Sequence, residues 1–122
     1  MTNYKNLRDG YLSQYFTIKE CKCKGATCCG GVYPMQLQFL SVMDALRKIV
    51  GPLNVNSGFR CYTHNNSKAV GGSSQSYHTK GLALDVWSTT MTPEEIGVIA
   101  RGLGLHTIVY DDFIHCDGRG LI

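Results

Sequence analysis

Between Pro34 and Gly51 the apolar residues Met35, Phe39, Leu40, Met43, Leu46, Ile49 and Val50 return at helical spacing. Such a repeat marks one helix face, so the pattern predicts a helix that supplies a wall of the core. Pro34 stands where a missing N–H costs nothing at a helix start, and Gly51-Pro52 stops the helix. Leu53-Asn54-Val55-Asn56-Ser57 alternates in character and predicts a strand, while Leu82-Ala83-Leu84-Asp85-Val86-Trp87 is mostly apolar and predicts a strand central in its sheet. Thr92-Pro93-Glu94-Glu95 places Thr at an N-cap, Pro at the first helical position and acids in the first turn. A helix from Pro93 to about Gly102 follows, with Ile96, Ile99, Ala100 and Leu103 facing inward. The short apolar segments 105–110 and 113–116 predict two strands of a hairpin around Asp111-Asp112. Near the start, Tyr4, Leu7, Tyr11, Leu12, Tyr15 and Phe16 fit either a short helix or an ordered arm packed on the core. Thr17 with Glu20 three residues later has the form of a capping box, opening a single turn before the cysteines. The polar and Gly-rich stretch 61–72 reads as loop, with Asn65-Asn66 tolerant of turn conformations. The expected architecture is α+β, a small antiparallel sheet flanked by helices.

Composition narrows this to one domain over 1–122, in which 1–31 forms an N-terminal arm and a Cys-rich loop. With 122 residues and 43% hydrophobic content the chain can bury one core but not two. The net charge of +3 is weak, and the 12 Lys and Arg are scattered, so nucleic acid is not an expected partner. No apolar run approaches the ~20 residues of a membrane helix. Met1-Thr2-Asn3-Tyr4-Lys5 leads into no signal-peptide core, so synthesis in a cytoplasm without a signal peptide is expected. Six cysteines complicate that compartment. Cys21, Cys23, Cys28 and Cys29 crowd a segment rich in Gly and Lys, and Cys61 and Cys116 lie beside Arg60 and His115, two candidate site residues. A structural metal site, disulfides and reduced buried thiols all remain open for them.

The candidate chemistry lies in His78, Asp85 and His115. Two imidazoles and one carboxylate form the ligand set of a catalytic Zn²⁺, which keeps a fourth position for water. Gly81 separates a loop carrying His78 from the strand carrying Asp85, and His115 on a neighbouring strand can close the triangle. Spacing alone does not single the trio out, because a His seven residues before an Asp is common by chance. A cysteine nucleophile, Cys61 or Cys116 with His64 or His106, finds no supporting arrangement of helix and base.

Ser57-Gly58-Phe59-Arg60, His64-Asn65, Val70-Gly71-Gly72, Ser76-Tyr77-His78 with Gly81 and Asp85, and Phe113-Ile114-His115 with Asp117 together resemble the zinc D-Ala-D-Ala carboxypeptidase family of metallopeptidases. That family includes phage endolysins and is structurally akin to the signalling domain of hedgehog proteins. The resemblance implies His78, Asp85 and His115 as ligands of one zinc ion, and Arg60 as the arginine that holds substrate or the developing oxyanion. It implies Ser76 as a hydrogen-bonding partner of substrate. Relatives place the general base two or three residues before the last ligand, which here points to Asp112, with Asp111 as runner-up; both acids equally suit a solvated turn. Asp117 either orients a ligand or pairs with Arg119. The implied substrate is the stem peptide of bacterial peptidoglycan, cleaved at D-Ala-D-Ala ends, at cross-links, or between L-Ala and D-Glu. The implied setting is a monomeric phage or prophage lytic enzyme acting at the bacterial cell wall, reached through a holin or on a virion. A zinc-containing binding module without catalysis, or a virion-assembly protein, is the alternative.

Overall fold

The computed structural model describes residues 9–24, 33–61 and 76–121. Its frame is a four-stranded antiparallel sheet in the order β1-β2-β4-β3, formed by β1 (Asn54–Ser57), β2 (Ala83–Trp87), β3 (His106–Val109) and β4 (Ile114–Asp117). Three α-helices accompany it: α1 (Ile18–Cys21), α2 (Leu37–Val50) and α3 (Pro93–Gly102). Two short 3-10 turns, Tyr77–Lys80 and Arg119–Leu121, precede β2 and follow β4. The α+β architecture expected from the patterning is therefore present. Among the described residues no helix is long and apolar enough to cross a membrane.

The apolar run of β2 is explained by its place between β1 and β4, where its residues are covered on both sheet faces. Leu84 and Val86 join Ile114 and Cys116 in one core with Phe39, Leu40, Met43, Leu46 and Val50 of α2 and Ile96 and Ala100 of α3. Side chains alternate across a strand, so Asp85 and His115 point to the face opposite this core. The register sets Ser57 against Asp85, Asp85 against His115, and His115 against Ile108. These four residues thus form one row across the sheet, on the side away from α3, whose Gly97 abuts Ile114 and Val109.

α3 starts and stops where the sequence predicts, with Thr92 and Glu95 forming a reciprocal capping box. α2 begins later than predicted, at Leu37, and Gln36 caps it without a side-chain bond. Pro34 is therefore outside the helix. The reason is tertiary: Gln36 N–H donates to the Gly81 carbonyl at 2.9 Å, which holds the chain extended alongside the 3-10 turn. Gly81 itself has φ 69°, and a Cβ there would run into the Pro34 carbonyl.

Residues 11–16 form an ordered arm rather than a helix. A bridge joins Tyr11 to Thr17, Leu12 N–H donates to Phe16 O at 2.9 Å, and Phe16 is buried in the core. The arm is fastened by Asp44, a buried acid on α2, which accepts from Ser13 Oγ at 2.8 Å, Gln14 N–H at 3.0 Å and Tyr15 N–H at 3.1 Å. The single turn of α1 carries the expected Thr17–Glu20 capping box. It packs so closely on the loop after β1 that a Cβ on Gly58 would lie 2.7 Å from Cys21 Cα. Phe59 N–H donates to Cys21 O at 2.8 Å across that contact. Tyr4, Leu7, Cys28, Cys29, His64, Asn65 and the stretch 70–75 lie outside the described residues.

Candidate metal centre

Each of the three candidate ligands is placed by a different local device. Asp85 sits in β2 and His115 directly opposite it in β4, so strand pairing alone brings them together. His78 is carried by the 3-10 turn, whose N-cap Ser76 accepts a hydrogen bond from His78 N–H at 3.2 Å. Left-handed Gly81 then closes the turn and sends the chain into β2. One ligand atom from each of His78, Asp85 and His115 lies within 4.8 Å of the others.

Hydrogen bonding shows what those atoms can do. His78 Nδ1 lies 2.7 Å from the Gly58 carbonyl, which can only accept, so the proton of a neutral ring resides on Nδ1. The lone pair of Nε2 then faces Asp85 Oδ1 at 3.1 Å. His115 is arranged in the reverse sense, with Nε2 2.8 Å from Asp117 Oδ2 and Nδ1 3.0 Å from Asp85 Oδ1. With both rings neutral in these tautomers, two imidazole lone pairs and a carboxylate oxygen face one another, an arrangement that favours a cation between them. The donor set, two neutral nitrogens and one carboxylate, is that of a zinc site with a position left open. Each imidazole is oriented through its far nitrogen, by the Gly58 carbonyl and by Asp117. The residues thus fit the metal.

In the metal-free state a proton on His115 takes the place of that cation. Burial opposes the charge on Asp85, but hydrogen bonds to His115 and His78 outweigh it and hold the carboxyl well below the usual range. Burial likewise opposes protonation of His115, yet Asp117 and Asp85 together push it up to about 9. Asp117 is fully buried, and its carboxyl is held low by His115 and Arg119 against the cost of desolvation.

The remaining predicted residues fall into two groups. Arg60 is at the centre: Nη2 lies 3.2 Å from Asp85 Oδ2, Nε donates to Ser57 Oγ at 3.0 Å, and its backbone N–H donates to His78 O. Ser76 borders the centre, with its hydroxyl engaged in capping the turn. Asp111 and Asp112 occupy the exposed hairpin turn between β3 and β4, closed by Tyr110 N–H donating to Phe113 O at 2.9 Å. They are not among the groups that converge on the trio. Asp117 does both things open to it, orienting His115 and binding Arg119 through Nε, Nη2 and the backbone N–H. The Ser57 hydroxyl and the Gly58 carbonyl were given no role from the sequence; for Gly58 the reason is that nothing in a residue's identity reports which way its backbone oxygen points.

Among the described residues there is no second cluster of metal-ligating side chains. Cys21, Cys23, Cys61 and Cys116 form no disulfide with one another, and burial pushes the Cys21 and Cys116 thiols up to about 12. As reduced, desolvated thiols, Cys21 and Cys116 behave as small apolar residues.

Two histidines and an aspartate able to hold a metal ion, borne on the sheet face opposite the helical core, point to the class of protein. Residues 14–117 match the model of the Peptidase M15 family, and the chain belongs to that family of zinc metallopeptidases of the D-Ala-D-Ala carboxypeptidase type. No match was found among curated proteins.

Proposed function

We propose that this chain hydrolyses peptide bonds in the stem peptides of bacterial peptidoglycan, using one zinc ion held by His78, Asp85 and His115. The observation that carries the reading is the approach of three possible ligand atoms within 4.8 Å of one another, beside the Arg60 guanidinium. Family membership supports a zinc peptidase acting on peptidoglycan in general. A zinc ion bound there would supply Lewis acidity and a water acidified toward pKa ~7.

The chain's own residues do the rest. Asp85 and the two histidines hold the charge in place, and Gly58 and Asp117 keep each imidazole in the tautomer that presents a lone pair. Arg60 offers positive charge beside Asp85, where a substrate carbonyl gains negative charge as water adds to its carbon. The family resemblance assigns the base to Asp112, three residues before His115 on the exposed turn and outside the trio: it takes the proton from the attacking water and returns it to the amine as the C–N bond breaks. Ser76 hydrogen-bonds the peptide. Cleavage falls at D-Ala-D-Ala ends or cross-links, or between L-Ala and D-Glu. The protein acts as a monomer at the cell wall, as a phage or prophage lytic enzyme, without nucleic-acid or membrane partners.

Release of amines from purified peptidoglycan tests this, with mass spectrometry of the muropeptides to name the bond. Hydrolysis abolished by a chelator and by His78→Ala supports the enzyme. One bound zinc without any hydrolysis sinks it in favour of a binding or virion-assembly module, and no zinc sinks both.

A further inference from the structure

The side chain that holds Asp117 also reaches the segment that carries His78. Arg119 donates to Asp117 Oδ1 through its backbone N–H at 3.1 Å and Nε at 2.9 Å, and to Oδ2 through Nη2 at 2.8 Å. Its guanidinium carbon then lies 4.5 Å from the centroid of the Tyr77 ring, and Tyr77 immediately precedes His78. A planar guanidinium is suited to both tasks at once, a fork toward the carboxylate and a face toward the ring. The backbone repeats the connection: Gly118 N–H donates to Leu82 O at 2.8 Å, and Leu82 N–H to Tyr77 O at 3.1 Å.

We infer that Arg119, stacked on Tyr77 and bonded to Asp117, is a positioning residue that clasps the His78 turn to the His115 strand and thereby sets the affinity of the centre for its metal. The inference rests on the zinc reading above. Its physical basis is that Asp117 is wholly buried with two oxygens to satisfy, and His115 supplies only one partner. Without the Arg119 fork, Oδ1 keeps only the Arg119 backbone N–H and Oδ2 only His115, so the carboxylate is held less firmly against the imidazole. Arg119 is itself substantially exposed, with 39% of its side chain in solvent, so it is not needed to fill the core. It also lies two residues past the segment matched by the family model.

Zinc affinity measured by competition with a chromophoric chelator provides the test, because it does not require catalysis. Arg119→Gln is expected to raise the dissociation constant roughly 10- to 100-fold, the range for loss of a group that orients a ligand. Tyr77→Leu should weaken binding in the same direction, Tyr77→Phe should keep the ring and the affinity, and Arg101→Gln, on α3 and bonded to Thr107, should change nothing. In the zinc-loaded protein, the His115 Nε2–H proton resonance should exchange faster with solvent in Arg119→Gln than in the unaltered chain. An unchanged dissociation constant in Arg119→Gln, or equal loss in Tyr77→Leu and Tyr77→Phe, overturns the clasp. If the unaltered chain binds zinc but cleaves no peptidoglycan, the peptidase reading fails while the clasp is judged on affinity alone; if it binds no zinc, both fail.

Discussion

Asp44 and Asp85 are buried to nearly the same degree, with 4% and 6% of their surfaces exposed, yet they sit in opposite kinds of surroundings. Asp44 accepts from one hydroxyl and two backbone N–H groups, all from the arm that it fastens to α2. Asp85 has a donor at one oxygen, from Arg60, but at the other it meets two imidazole nitrogens whose far sides are already engaged. The first carboxylate closes its own hydrogen-bonding account with protein groups and serves as an anchor. The second does so only while His115 carries an added proton, or when a metal ion takes that proton's place. Burial of an acid therefore does not mark a site; the direction of the neighbouring protons does.

The comparison is broken most directly by replacing each acid with its amide. Asp85→Asn is expected to reduce bound zinc from one equivalent to near zero and hydrolysis to background, while far-ultraviolet circular dichroism stays native. Asp44→Asn should retain the zinc. If both variants bind zinc equally, the contrast between the two acids is wrong. A smaller effect is expected from Asp44→Ala, which leaves the Ser13 hydroxyl and two arm N–H groups without their acceptor. That loss should cost about 3 kcal/mol, a fall in Tm on the order of 10 °C, read by thermal melts at saturating zinc.

The smallest effect is kinetic and uses Cys21, which lies where the arm meets the loop after β1. Its thiol, pushed up to about 12 by burial, holds far less thiolate at pH 8 than an ordinary cysteine and should resist alkylation in the folded chain. Peptide mass spectrometry after a timed alkylation should show faster labelling of Cys21 in Asp44→Ala and no change in Asp85→Asn. Acceleration in both would mean that the two regions open together.

What could be read from the sequence was whatever is decided locally. Thr92-Pro93-Glu94-Glu95 specifies the start of α3 with its own atoms, and Thr17 with Glu20 does the same for α1. The hairpin around Asp111-Asp112 and the central position of β2 followed from apolar runs and their punctuation. The start of α2 was misread because Gln36 is held by Gly81, 45 residues away, a contact that no local pattern reports. For the same reason Asp44 was passed over, since its partners lie on an arm about 30 residues earlier. His78, Asp85 and His115 were legible because metal ligation restricts residue type so severely that a trio and its neighbours resemble a family. The outer contacts were legible only in part: Asp117 stood beside His115, but Gly58 contributes a carbonyl that every residue possesses.

The hairpin turn also acts as a length gauge. Val109 pairs with Ile114, the bond from Tyr110 to Phe113 closes the loop, and only Asp111 and Asp112 remain between them. Side-chain direction along β4 alternates with each residue, so a shift of one position against β2 would turn His115 toward the helices and present Cys116 where the imidazole now stands. The turn itself gauges only β3, the edge strand: one residue added between Tyr110 and Phe113 would slip β3 along β4 and leave Asp85 opposite His115, because β2 and β4 align those two.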